Sequence, residues 1–141
     1  MKFHSQEWLD AYREASNSSP DRDKKAGGLT AKFCNLIRDC PGGVDKYETW
    51  RWENGKVVEA KVEEKPAPSD YRKIRFDKDE LLFRITAPYE LFVKQQRGEV
   101  GDLALAAYPS WKTEGPTLTL VKLLPFFGWW RGVGKKIPTE Y

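Results

Sequence analysis

Asn54-Gly55 leaves this chain less conformational freedom than any other pair of residues in it. Both central residues of a type I′ turn need positive φ, which Asn and Gly adopt at little cost, and that turn matches the twist of two antiparallel strands. The flanking runs, Tyr47 to Trp52 and Val57 to Glu63, alternate in polarity, so the segment reads as a β-hairpin. A two-residue turn also sets the register. Trp52 is then expected opposite Val57, Arg51 opposite Val58 and Thr49 opposite Ala60. That pairing places Tyr47, Val58, Ala60 and Val62 on the core side. Trp50 and Trp52 fall among Glu48, Glu59 and Lys61 on a partly wet outer side.

More strand signals surround the hairpin. Leu29 to Arg38 alternates, with Leu29, Ala31, Phe33 and Ile37 on one face, and Cys40-Pro41-Gly42-Gly43 makes the next turn. Lys65-Pro66-Ala67-Pro68-Ser69 reads as a loop. Tyr71 to Phe76 and Glu80 to Ile85 read as two further strands around Asp77-Lys78-Asp79, giving five strands in one block. Ahead of the block, Ser5 is placed to cap a helix carrying Trp8, Leu9 and Tyr12 to about Ala15, and Ser19-Pro20 opens a short second helix ended by Gly27-Gly28.

After the block the period changes. Thr86-Ala87-Pro88 opens a helix running to Arg97 and closed by Gly98. Asp102 caps a short helix with Leu103 and Leu105, stopped at Tyr108-Pro109, and Trp111 to Gly115 has the length of an edge strand. Pro116 to Leu124 is apolar nearly all round as a helix, so it is expected to be buried on most sides. Pro125 stops or kinks it, and Phe126-Phe127-Gly128-Trp129-Trp130 follows as a tail. The expectation is one α+β domain over residues 1–141: a mostly antiparallel five-stranded sheet with helices packed on one face.

Composition removes several functions. Its 24 basic and 21 acidic residues are interleaved, as in Asp21-Arg22-Asp23-Lys24-Lys25, whereas a nucleic-acid binder concentrates positive charge on one face. No nucleic-acid partner is expected. Cys34 and Cys40, if joined by an extended segment, stand roughly 20 Å apart, too far for a disulfide, and no cysteine or histidine has metal-ligand spacing. The first residues read as a capped helix start and not as a secretory segment, and no apolar run approaches the ~20 residues of a membrane span. A cytoplasmic location follows as the expectation.

Catalytic constellations are missing as well. His4, the sole histidine, is expected in a solvated, inert amino terminus, which leaves no base to activate Cys34 or a serine. Gly98-Glu99-Val100-Gly101 lacks the Lys-Ser/Thr of a phosphate loop. No catalytic residue, metal or cofactor is expected.

Against that background one resemblance stands out. Ala87-Pro88-Tyr89-Glu90-Leu91-Phe92-Val93-Lys94-Gln95-Gln96-Arg97-Gly98-Glu99-Val100, with Leu103-Ala104-Leu105 and Trp111-Lys112-Thr113-Glu114-Gly115, resembles the carboxy-terminal half of the sterol carrier protein lipid-transfer family. Glu7-Trp8-Leu9, Ala11 and Asn17 are similar to some prokaryotic members. Trp111, Thr113 and the Trp-Trp tail depart from the family pattern. The resemblance implies a five-stranded sheet with helices on one face, enclosing an apolar tunnel for a fatty acyl chain, an acyl-CoA or a sterol-like molecule.

The residues that fit such a site come from two segments. Leu91, Phe92, Leu103 and Leu105 supply one part of the expected cavity wall. Leu118, Val121, Leu123, Leu124, Phe126 and Phe127 supply the other. Trp129, Trp130 and Arg131 suit a lid, a homodimer contact or a transient contact with a membrane interface. Two other functions compete: an accessory module that docks a partner through a Trp-rich surface, and a small cone-fold enzyme acting on a hydrophobic substrate. The leading expectation is a small hydrophobic ligand, bound and not transformed.

Overall fold

Residues 1–141 are described by a computed structural model. The hairpin is there: β2 (Val44–Glu53) and β3 (Lys56–Pro66) turn at Asn54-Gly55, both with positive φ. Only glycine fits at position 55, because a Cβ there would lie 2.1 Å from the Gly27 carbonyl oxygen. Ahead of it run α1 (Gln6–Ser18), α2 (Arg22–Ala26) and β1 (Ala31–Cys40). Ser5 caps α1, its hydroxyl accepting from the Trp8 N–H at 3.1 Å.

Beyond β3 come β4 (Phe83–Pro88), α3 (Tyr89–Gln96), α4 (Asp102–Ala106), β5 (Lys112–Glu114), α5 (Thr117–Lys122) and α6 (Leu124–Lys135). The five strands lie in the order β3-β2-β1-β4-β5. Three of the pairings are antiparallel and β1–β4 is parallel, so the sheet is mixed. The helices cover its front face. There α6 crosses α1 so closely that a Cβ on Gly134 would stand 2.8 Å from the Tyr12 ring.

The hairpin register departs from the expected one after a single pair. Trp52 faces Val57, but Arg51 then faces Glu59, Trp50 faces Ala60 and Thr49 faces Lys61, with a bulge between Arg51 and Trp52. One extra residue on β3, Val58, is left over and is 39% exposed. Because side chains alternate with period two, that residue moves the partners of β2 to the other face. Trp50 and Trp52 are consequently interior, with Val57, Ala60 and Glu48 beside them. Tyr47 lies on the back face, its ring 5.6 Å from that of Tyr71.

Tyr71 to Phe76 forms no strand. Asp70–Lys73 is a 3-10 turn that crosses the back face, held there by Asp45. This carboxylate is fully buried and accepts from the Asp39 and Ser69 N–H groups, the Ser69 hydroxyl and two nitrogens of Arg72. Burial by itself would raise its pKa, but the guanidinium and the other donors outweigh that and hold it well below the ordinary carboxylate range. The segment from Thr86 to Pro88, expected to open α3, is the end of β4 instead, zipped to β1 from Leu36 to Arg38. Cys34 and Cys40 are buried free thiols.

The carboxy-terminal third holds the other corrections. Helix α5 buries none of its residues, with Leu118 79% and Val121 55% exposed. It is a single short turn-and-a-half lying at the rim of the helical layer, with nothing packed over it. The helix does break just ahead of Pro125, at Leu123, and Pro125 then sits in the first turn of α6, where a missing N–H costs nothing. The aromatic segment is therefore helical and packed: Phe126 is buried, and Trp130 stacks on Tyr12 with ring centroids 4.8 Å apart.

Candidate functional site

The front face of the sheet and the helices do not close on each other completely. A cavity of about 360 Å³ lies between them. Phe33, Trp50, Phe83 and Ile85, which share the front face of β1, β2 and β4, form its floor, and Trp8, Tyr12, Phe92, Trp111, Phe127 and Trp130 stand around it. Leu103, Ala106, Val121 and Leu124 line it as well and are exposed, which locates the open side between α4, α5 and the start of α6. The volume is a little over twice that of the about 150 Å³ apolar cavity that admits benzene, and sits at the small end of sites for organic ligands.

One polar cluster interrupts the apolar lining. Asn35 and Glu48 face each other across β1 and β2, so both side chains rise from the front face. Glu48 is 2% exposed. Its Oε1 accepts from Trp50 Nε1 at 2.6 Å and Asn35 Nδ2 at 3.1 Å, and its Oε2 meets His4 Nδ1 at 2.5 Å. Burial pushes the Glu48 pKa up, but the attraction of His4 and the three hydrogen bonds more than offset this, and the net shift is downward. Glu48 is thus a buried carboxylate kept ionised.

His4 is 3% exposed, the opposite of the solvated terminus expected for it. Three local features fix it. Lys2 forms a parallel bridge with Glu140, and the Phe3 N–H donates to the Glu140 carbonyl at 2.9 Å. His4 then takes φ 58°, a conformation uncommon for a non-glycine residue, before Ser5 starts α1. Its ring lies among Phe3, Trp8 and Phe92, and its Nε2 is buried with no hydrogen-bond partner. A second pair on the cavity wall is closed: Arg131 meets Asp102, which also accepts from Gln95 Nε2 at 3.4 Å.

The structure divides the residues expected at the site. Phe92, Leu103, Val121, Leu124 and Phe127 line the cavity. Leu91, Leu105 and Phe126 are buried in the core without reaching it, Leu118 points to solvent, and Leu123 lies by a shallow groove beside Thr119. Trp130 and Arg131 belong to the cavity wall, while Trp129 packs outside it with its Nε1 donating to Ser19 at 3.1 Å. Sequence reasoning overlooked Asn35, Glu48, His4 and the aromatic residues of α1 and β2. A usable signal was present: in Tyr47-Glu48-Thr49-Trp50-Arg51-Trp52 the acid shares the parity of two tryptophans, and a strand face with two indoles is more readily an inner than an outer one.

This fold, an open mixed sheet with helices on one face, is shared with sterol carrier proteins of known structure, and the chain matches them over nearly its whole length. It superposes on the crystal structure of sterol carrier protein 2 with a TM-score of 0.73 at 16% identity, over 95% of this chain and 98% of that one. A solution structure from Thermus thermophilus, of a conserved hypothetical protein described as possibly a sterol carrier protein, gives 0.71 at 18% identity over 99% and 92%. The apo form of sterol carrier protein 2 from Yarrowia lipolytica gives 0.54 at 13% identity over 92% and 90%. No protein-family model and no curated protein matches the sequence. No helix is long and apolar enough to cross a membrane.

Proposed function

We propose that this protein binds an apolar, lipid-like molecule in the front cavity and carries it without transforming it. The observation that carries this reading is the 360 Å³ space lined mostly by aromatic and aliphatic side chains and open between exposed leucines. Burying hydrocarbon is worth about 0.8 kcal/mol per methylene. About ten methylenes then reach the ~8 kcal/mol of micromolar binding before the costs of association. A single slender tail suits the volume better than a bulky or two-chained lipid. A fatty-chain molecule is accordingly the proposed ligand, and the cytoplasm, where Cys34 and Cys40 stay thiols, the proposed setting.

Native mass spectrometry of the purified protein before and after delipidation tests the proposal. A bound mass that is lost on delipidation and regained with a fatty-chain probe is the expected result. An unchanged mass together with no uptake of any such probe overturns it.

A further inference from the structure

Helix α4 is held to the rest of the protein by very little. Of its residues only Leu105 is buried, and Leu103 beside it is 82% exposed. Its backbone bonds are local: the Leu105 N–H donates to the Gly101 carbonyl, Ala107 to Ala104 and Tyr108 to Leu105. None of the three reaches the sheet or another helix. Ahead of α4, Gly98 and Gly101 bracket Glu99 and the half-buried Val100. Gly98 has φ 73°, which glycine adopts without strain. Gly101 needs no special conformation: its φ is −76° and a Cβ there would meet nothing within 4 Å. Without side chains, both residues can absorb a change of chain direction, as hinge residues do.

One side-chain tie crosses the cavity. Asp102, the first residue of α4, meets the Arg131 guanidinium of α6 and accepts from Gln95 Nε2 of α3 at 3.4 Å. Both members of the ion pair line the cavity. Arg131 is 25% and Asp102 37% exposed, and an ion pair so placed is modest, so it can hold α4 and still release it. Leu103 and Ala106, on the same helix, form one side of the cavity's open end, and Leu124 at the start of α6 forms another. The separation of α4 from α6 therefore sets the width of the mouth.

We infer that α4 is the gate of the cavity: it swings on the Gly98–Gly101 segment, and the Asp102–Arg131 pair latches it to α6. Opening withdraws Leu105 from the core and widens the mouth, and closing restores the pair. The inference rests on the proposed function only for what passes through the gate.

The first test needs no ligand. Leu105→Cys puts a thiol where only an opened α4 exposes it, and the buried Cys34 and Cys40 report unfolding of the whole chain. A maleimide reagent should modify the introduced thiol well ahead of the two native ones, because local opening is more frequent than global unfolding. Adding Asp102→Asn should quicken that modification roughly 2- to 5-fold, the factor a partly exposed ion pair supports. Salt at about 1 M should quicken it while the pair is present and have no such effect in Asp102→Asn. Exchanging the charges, Asp102→Arg with Arg131→Asp, should bring the rate back toward the parent's, which a folding defect would not do. Gly101→Ala, which stiffens the hinge, should slow it about twofold. One common rate for all three thiols, or a rate indifferent to Asp102→Asn, overturns the gate.

The second test follows a fatty-chain probe on the delipidated full chain by stopped-flow fluorescence of the tryptophans lining the cavity, Trp8, Trp50, Trp111 and Trp130. Asp102→Asn should quicken entry and release together. Faster release with unaltered entry would mean that the pair grips the ligand, and overturns the gate. A probe that binds neither parent nor variant overturns the lipid-binding reading, while the thiol rates still decide whether α4 opens.

Discussion

Asp45 and Glu48 stand three residues apart on one strand and point to opposite faces of the sheet. Both are buried, at 0% and 2% exposure, and both are held below the ordinary carboxylate range. Their partners differ. Asp45 accepts five hydrogen bonds from Asp39, Ser69 and Arg72, which saturate it and anchor the 3-10 turn to the back face. Glu48 accepts three and borders a cavity. A saturated buried acid has no capacity left for anything but structure. One that borders a cavity is not committed in that way.

The largest effect expected from breaking this contrast is on the back face. Asp45→Ala strands Arg72 and both Ser69 donors, and should cost about 3 kcal/mol in urea denaturation, at the low end for broken buried pairs because Arg72 is partly exposed. Acid should expose the same asymmetry. A carboxylate whose folded pKa lies below its unfolded one contributes stability that is complete above about pH 4 and is lost as pH falls through the folded value. Stability should therefore decline below about pH 4, by about 2 kcal/mol on Asp45's account. Asp45→Asn, less stable at neutral pH, should show a flatter decline in the same titration.

Smaller changes are expected on the front face. Glu48→Gln keeps an acceptor for Trp50 and Asn35 but presents an amide to His4, so it should cost about 1 kcal/mol and move the His4 ring signals seen by nitrogen NMR. Leu118→Ser, on the exposed side of α5, should leave the thermal midpoint almost unchanged, within about 0.5 kcal/mol. A large loss there would mean that α5 is packed more firmly than its exposure indicates.

Local chemistry was legible in the sequence and non-local chemistry was not. The Asn54-Gly55 turn, the Ser5 cap, the short edge strand and the helix ended by Gly98 all depend on a few adjacent residues, and all are present. The bulge after Arg51 is announced by no residue of the turn; it was enough to bring Ala60 and Val62 to the face of Trp50 and Glu48 and so to make that face the inner one. His4 read as solvated because its confinement comes from Glu48, 44 residues on, and from Glu140 at the far end of the chain. Helix α5 misled in the other direction, since apolar periodicity cannot tell a buried segment from one that borders an opening. The expected wall residues all lie between Leu91 and Phe127, yet much of the cavity wall is drawn from α1 and the sheet.

The bridge between Lys2 and Glu140 gives the two ends of the chain a joint mechanical role. It clasps the final residues over the segment that carries the histidine, by a few backbone bonds where the strands are joined by long ladders. Load applied to the carboxyl end would release the clasp first, drawing His4 off its acid while the sheet is still intact. The cavity would then lose part of its wall well before the fold gives way.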